Sequence, residues 1–266
     1  MRHLLPTLLI AAGTLLAPAR THAVELVTSC GQFVRGSGIL IGDLDCSATA
    51  DDAVKLQGRL HLGGFTLIGH PAHDVVRCQK GACRIDGPGT LTGGADGIRS
   101  DKVTKVINVT ISNNAGDGVR AEKTARIVSA SIFNNGGDGV NADKVDARST
   151  GLLSNGGDGA HAVRKATIRG CNVTGNDGDG VSSDRLAKVS QNTTVTGNGL
   201  DGVDAGRIML KTNASVTVNG TSAACGVSEE CDDLATERRP VVGSDATCGT
   251  SRDTARGGTW GVCLGD

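Results

Sequence analysis

Aromatic side chains are almost missing from this chain of 266 residues: it has Phe33, Phe65, Phe133 and Trp260, and no tyrosine. Its core must therefore be built from Val, Ile, Leu, Ala and Thr. Proline is scarce at 5 while glycine reaches 40. That excludes collagen-like sequence and points to repeated corners that need permissive backbone angles. No apolar run is long enough to cross a bilayer as a helix. The formal net charge is −1, which gives no electrostatic case for a nucleic-acid partner or an anionic membrane. Cys-x-x-Cys is absent, so no zinc or redox motif is suggested.

The ends carry processing signals. "MRHLLPTLLIAAGTLLAPARTHA" has a basic start, an apolar run from Leu4 to Leu16 and small residues after it. It reads as a secretory signal peptide over 1–23, cleaved after Ala23 or Ala19. Export to the cell envelope or the medium makes disulfides the expected state of the nine cysteines. Spacing alone does not fix their connectivity. Nearest-neighbour pairing joins Cys30 to Cys46, Cys78 to Cys83, Cys225 to Cys231 and Cys248 to Cys263, leaving Cys171 as a small buried hydrophobe.

What the chain does have is a beat. "NNGGDGV" (Asn134 to Val140) recurs in variants that place an aspartate at Asp96, Asp117, Asp138, Asp158, Asp179 and Asp201, at steps of 21, 21, 20, 21 and 22 residues. Asn114, Asn135, Asn155, Asn176, Asn198 and Asn219 keep the same interval. Between these marks apolar and polar residues alternate, as in Val109, Thr110, Ile111 and their counterparts one repeat later. Such alternation is a half-buried β-strand. Three short strands in each 21-residue unit predict an all-β parallel β-helix in which equivalent residues stack at about 4.8 Å. Asn then supports a left-handed corner and an amide ladder, and Gly occupies corners that exclude a Cβ. The aspartate column has two readings: carboxylates accepting backbone N–H groups in their own turns, or a row of calcium ions. The first is the expectation, and no cofactor is implied.

On these turns and strands, and on "GRLHLGGFTLIG" (Gly58 to Gly69) and "CRIDGPGTLTGG" (Cys83 to Gly94), the chain resembles the secreted right-handed parallel β-helix proteins of the pectin-lyase-like superfamily. The likeness covers residues 53–222. The flanks, 24–52 and 223–266, read as disulfide-stapled caps. In enzymes of that group the substrate lies along the outer face of one sheet. The resemblance thus implies a substrate-binding strip made of Arg99, Arg120, Asn141, His161, Ser182 and Asp204, with Arg120 and His161 as the best catalytic candidates.

The group's catalytic patterns are poorly met. One acid, Asp204, stands on the strip, where lyase chemistry wants a calcium-binding cluster. Asp51-Asp52 and Asp232-Asp233 fall outside the repeats, and "HPAHD" (His70 to Asp74) only echoes an epimerase motif. Aromatic platforms for sugar rings are missing from the repeats. A basic ridge runs through Lys102, Lys123, Lys144, Arg164 or Lys165, Arg185 and Arg207, and reads as a charged edge that discourages aggregation. The expectation is an exported monomer that binds a polysaccharide or a cell surface without turnover. The alternative is a lyase or related enzyme acting on uronate polymers along the strip.

Overall fold

The structure of the chain, a computed structural model, describes residues 24–222, 225 and 231–264. The expected signal peptide lies outside the described residues, as do 223–224, 226–230 and 265–266 of the C-terminal flank. No described residue is helical, and no helix is long and apolar enough to cross a membrane. The strands form two sheets, one of 17 and one of 10, paired in parallel throughout. This is the all-β parallel β-solenoid the repeat predicts, with coils of about 21 residues.

One coil shows the path. Ile98–Ser100 forms a leading strand, Val103–Ile107 a middle strand and Thr110–Ser112 a trailing strand. In the next three coils the leading and middle strands run together as Val119–Val128, Val140–Arg148 and Ala160–Arg169. The register follows the repeat: Val119 pairs with Ile98 and Val140, and Ile132 with Ile111 and Leu152. Inward-facing Ile111, Ile132, Leu152, Val173, Val195 and Val216 have no exposed surface. Each is worth about 1.5–3 kcal/mol of burial. The coil from Val140 to Ala160 is one residue short, and the register shifts after Ala142 absorb the difference. Lys144 therefore stacks between Thr124 and Lys165 rather than continuing a ridge from Lys123 to Arg185. The single ridge expected from spacing is split between a corner and a strand.

Two side-chain ladders bind coil to coil. Asn135 Oδ1 accepts from Asn114 Nδ2 at 2.8 Å and from Asn114 N at 3.2 Å, while Asn135 Nδ2 donates to Asn155 Oδ1 at 3.0 Å. The pattern continues through Asn176 and Asn198 to Asn219 and ends on Asp233 Oδ1, 2.8 Å from Asn219 Nδ2. A carboxylate accepts without donating, so it closes a row whose amides all donate in one direction. The aspartate ladder runs the opposite way. Asp117 Oδ1 accepts the N–H of Asp138 at 2.8 Å, and Asp138 Oδ1 that of Asp158 at 2.7 Å. Each aspartate thus bonds the next coil, not its own turn as the repeat alone suggested. Glycines are needed here because of crowding. A Cβ on Gly118 would stand 2.7 Å from Gly139 O and 2.9 Å from Asn135 Nδ2.

The left-handed residue of the Asn corner is the one before the ladder Asn, not the ladder Asn itself: Asn113, Asn134, Ser154, Gly175, Gly197 and Val218 all have positive φ. The ladder extends beyond the repeats. Gln32–Leu40 pairs with Val54–His61, and Leu234–Thr236 with Ser251–Asp253, so both flanks read as caps contribute rungs of their own. The C-terminal rung departs from the beat, with 17 residues from Leu234 to Ser251, and the N-terminal one keeps it, with 22 from Gln32 to Val54, but lacks the Asn and Asp-Gly marks. The four expected disulfides, Cys30–Cys46, Cys78–Cys83, Cys225–Cys231 and Cys248–Cys263, are present. Cys171 is free and 3 % exposed, and burial pushes its thiol up.

Two outcomes follow. A thiol reagent should label Cys171 very slowly under native conditions and rapidly on unfolding, since a buried neutral thiol is a poor nucleophile; fast native labelling would break the register. Val218 is β-branched, 72 % exposed and held at φ 58°, a conformation that costs an L-residue roughly 1 kcal/mol or more. Val218→Asn should raise stability by about 0.5–1 kcal/mol in denaturant unfolding, and a loss would contradict the corner assignment.

Candidate functional site

The six residues of the implied strip lie on consecutive rungs. Arg99 pairs with Arg120, Arg120 with Asn141, Asn141 with His161, His161 with Ser182 and Ser182 with Asp204. The column begins earlier than the repeat suggested, with Phe33, Lys55 and Arg77 on the three rungs before Arg99. From Lys55 to Arg120 it is cationic, and its last sequence-derived member is an acid. Arg120 and His161 stand two rungs apart, roughly 10 Å.

The strip lies beside the aspartate ladder, which is longer than the repeat. Asp74 donates its N–H to Asp52 Oδ1 at 3.0 Å and accepts from Asp96 N at 3.3 Å; at the far end Asp232 N reaches Asp201 Oδ1 at 2.6 Å. The doublet Asp51-Asp52 and the "HPAHD" segment therefore supply early rungs. The doublet Asp232-Asp233 ends both ladders. With Oδ1 committed between coils, Oδ2 faces the strip residue three positions on. Asp74 Oδ2 lies 3.5 Å from Arg77, Asp96 Oδ2 4.0 Å from Arg99, and Asp117 Oδ2 3.9 Å from Arg120. Asn141 Nδ2 donates to Asp138 Oδ2 at 2.8 Å, and His161 Nδ1 stands 3.4 Å from Asp158 Oδ2 and 3.2 Å from Ser182 Oγ. Arg77, Asn141 and His161 approach this nearly buried carboxylate row closely, whereas Arg99 and Arg120 stand about half-exposed at the edge of ion-pair distance and Asp117 Oδ2 accepts no hydrogen bond.

That arrangement sets the proton affinities. Burial, then neighbouring aspartates, raise Asp74 above the ordinary carboxylate range. Burial also raises Asp117 to about 6, with the bond from Asp138 N opposing it. The hydrogen bond to Asp158 raises His161 above its usual value, against its own burial. Cationic partners stop at Ser182, and there the carboxylates crowd. Burial pushes Asp179 up to about 8, reinforced by Asp158 and Asp201. Asp201 reaches about 6 by burial, opposed by the bond from Asp232 and by Arg252. Arg252 arrives from the last coil and meets Asp201 Oδ2 at 3.0 Å and Asp232 Oδ2 at 3.1 Å. A cleft of about 360 Å³ opens here, lined by Ser182, Asp184, Asp204, Glu237 and Arg252 among others. Among the described residues no three His, Cys, Asp or Glu side chains converge as ligands for a metal ion.

A second basic surface was missed. Arg59, Arg84, Lys105 and Arg126 stack on successive rungs of the middle strands' outer face. Their spacing departs from the repeat between Arg59 and Arg84, and Asp146 and Thr167 interrupt the column after Arg126. The steps of 21 from Arg84 to Lys105 and from Lys105 to Arg126 were the available signal.

The aspartate row predicts a pH dependence of stability. Asp179, Asp117 and Asp201 hold protons in the folded chain that the unfolded chain has released above about pH 4. Their contribution is complete below that point and declines as pH rises through the folded values, to about 8 for Asp179. His161, also raised, acts in the same direction as pH climbs past its unfolded value. Stability should fall by at least about 1 kcal/mol between pH 5 and pH 8.5, and Asp179→Asn, which keeps an acceptor for Asp201 N, should reduce the slope. Denaturant unfolding across that range checks both; a rise with pH, or an unchanged slope in the variant, contradicts the assignment.

Comparison of the chain with protein-family models, with curated proteins and with solved structures finds no match.

Proposed function

We propose that this chain is an exported, non-catalytic β-solenoid of the right-handed, pectin-lyase-like type that binds a polysaccharide or a cell surface. Four disulfides support export, since such bonds persist in oxidising compartments. The order of leading, middle and trailing strands, with an Asn ladder at the corner after the trailing strand, supports the superfamily assignment. The observation that carries the non-catalytic reading is the engagement of the strip. Arg77, Arg99, Arg120, Asn141 and His161 each face an aspartate Oδ2, and a guanidinium or imidazole serving a carboxylate inside the fold is a poor base for a substrate proton. The straight sheet faces suit adhesion, because rigid rungs at about 4.8 Å present many weak contacts at once.

An ultraviolet assay for unsaturated uronate product, run on a panel of polyuronates with and without calcium, tests this reading against the lyase alternative. No product is expected under any condition, while the same polymers, or cell-wall preparations, should retard the protein in affinity electrophoresis. Product formation abolished by Arg120→Ala or His161→Ala would establish the lyase instead.

A further inference from the structure

We propose that the polymer-binding surface is not the strip but the outer face of the middle strands, and that its ligand is an extended acidic polysaccharide held by its carboxylate or sulfate groups. This rests on the reading of a polysaccharide-binding solenoid and names the face and the ligand class.

The face is a grid. Eight rungs, from Val54–His61 to Ile208–Leu210, stack in parallel register and span roughly 34 Å. Arg59, Arg84, Lys105 and Arg126 form its first half. Lys144 and Lys165 follow two residues to the side on the same face, and Lys188 and Lys211 lie further along. The acids on these rungs are Asp86 and Asp146, and both are occupied. Asp86 takes Arg84 at 2.8 Å and also Arg59; Asp146 takes Arg148 at 3.1 Å and Arg169 at 3.6 Å. Among the described residues, Lys105, Arg126, Lys165, Lys188 and Lys211 have no carboxylate within ion-pair distance. The strip is the opposite case, since its cations face the aspartate row.

Near the C-terminal end the grid encloses a hollow of about 170 Å³, with Lys165, Arg169, Lys188 and Lys211 around it and Thr167, Ser190 and Met209 completing the wall. Three cations without a carboxylate partner, Lys165, Lys188 and Lys211, a fourth, Arg169, shared with Asp146, and two hydroxyls make a seat for one anionic group and its neighbouring hydroxyls. The remaining cations lie along the solenoid axis, so an anionic chain seated there continues over further charges. Three features favour a polysaccharide over other polyanions. The rungs carry no Phe, Tyr or Trp on which bases could stack, and one imidazole, His61, at their N-terminal edge. Val103, Ile107, Val128 and Leu186 on this face are half-buried between the cations and offer nothing to insert into a bilayer. The disulfides belong to a compartment where glycans, not nucleic acids, are the abundant polyanions. Stacked cations also repel one another, so a binding role predicts that neutralising them should stabilise the free protein while it weakens binding.

The test uses the full oxidised protein and four probes at ~50 and ~200 mM salt: sodium polygalacturonate, dextran sulfate, neutral dextran and double-stranded DNA, with phosphatidylserine vesicles as a fifth arm. One variant carries Lys165→Gln, Lys188→Gln and Lys211→Gln; a second carries Arg99→Gln and Arg120→Gln. The wild type should bind an anionic glycan, ignore neutral dextran and lose roughly tenfold in affinity or more over that salt range, as release of counterions from a polyanion requires. The first variant should bind at least ~10-fold more weakly with an unchanged circular dichroism spectrum and a higher Tm; the second should bind within ~3-fold of wild type. If the triple variant fails to fold, Lys211→Glu alone, on an exposed side chain, must still weaken binding. Glycan binding equal in wild type and first variant overturns the face while leaving the functional reading intact. Binding of DNA or vesicles but no glycan overturns the ligand class, and failure to bind any probe overturns both the inference and the reading beneath it.

Discussion

The structure depends on hydrogen bonds that run between coils rather than within them. A parallel solenoid of short strands leaves its corners without ladder partners, and buried backbone groups there must be satisfied or the coil frays. The Asn and Asp rows supply those bonds. Asn side chains donate towards the C-terminus from Asn114 to Asp233, and Asp side chains accept from the next coil from Asp52 to Asp232. Because amides both donate and accept, the Asn row can continue indefinitely, and it stops where an Asp replaces the amide. The glycines at Gly118, Gly139 and Gly159 follow from the same geometry, since a Cβ there would collide with the ladder.

The electrostatics of the surface follow from that row of bonds. Placing one carboxylate per coil at nearly buried positions costs desolvation and mutual repulsion, and the outer strip offsets it with one polar partner per rung from Arg77 to His161. Burial raises carboxylates along the row, Asp117 to about 6 even opposite Arg120, and most where those partners end, with Asp179 pushed to about 8. On the proposed non-catalytic reading, the line of residues that resembles a catalytic strip serves as a charge balance for the fold. A net charge of −1 then conceals a strong asymmetry, with acids gathered in one column and unpaired cations on the neighbouring face.

The coil, its period and its inward columns were legible because each leaves a mark at a fixed interval: Val119 and Val140, Ile111 and Ile132, Asn114 and Asn135. The four disulfides were legible from proximity in sequence. The sense of the aspartate bonds was not, because an Asp-Gly turn carries the same letters whether its carboxylate serves its own turn or the next coil. The rung built by Asp232 was missed because its step from Asp201 departs from the beat, and those built by Asp52 and Asp74 because no Gly follows either Asp, although both keep steps of 22 residues. The basic face was missed for a related reason: after Arg126 the column passes to Asp146 and Thr167 while the cations stand two residues earlier at Lys144 and Lys165, so no single interval links Lys105 to Lys165.

The central claim is that the Asp carboxylates bind each coil to the next. Native-state amide hydrogen exchange at Asp117, Asp138, Asp158, Asp179 and Asp201 tests it most directly, because their N–H groups lie in turns where exchange is otherwise fast. Protection equal to that of the strand amides of Val119, Val140 and Ala160 is the predicted result. Exchange at these five amides near the rate of an unstructured chain, with the strands still protected, would contradict it.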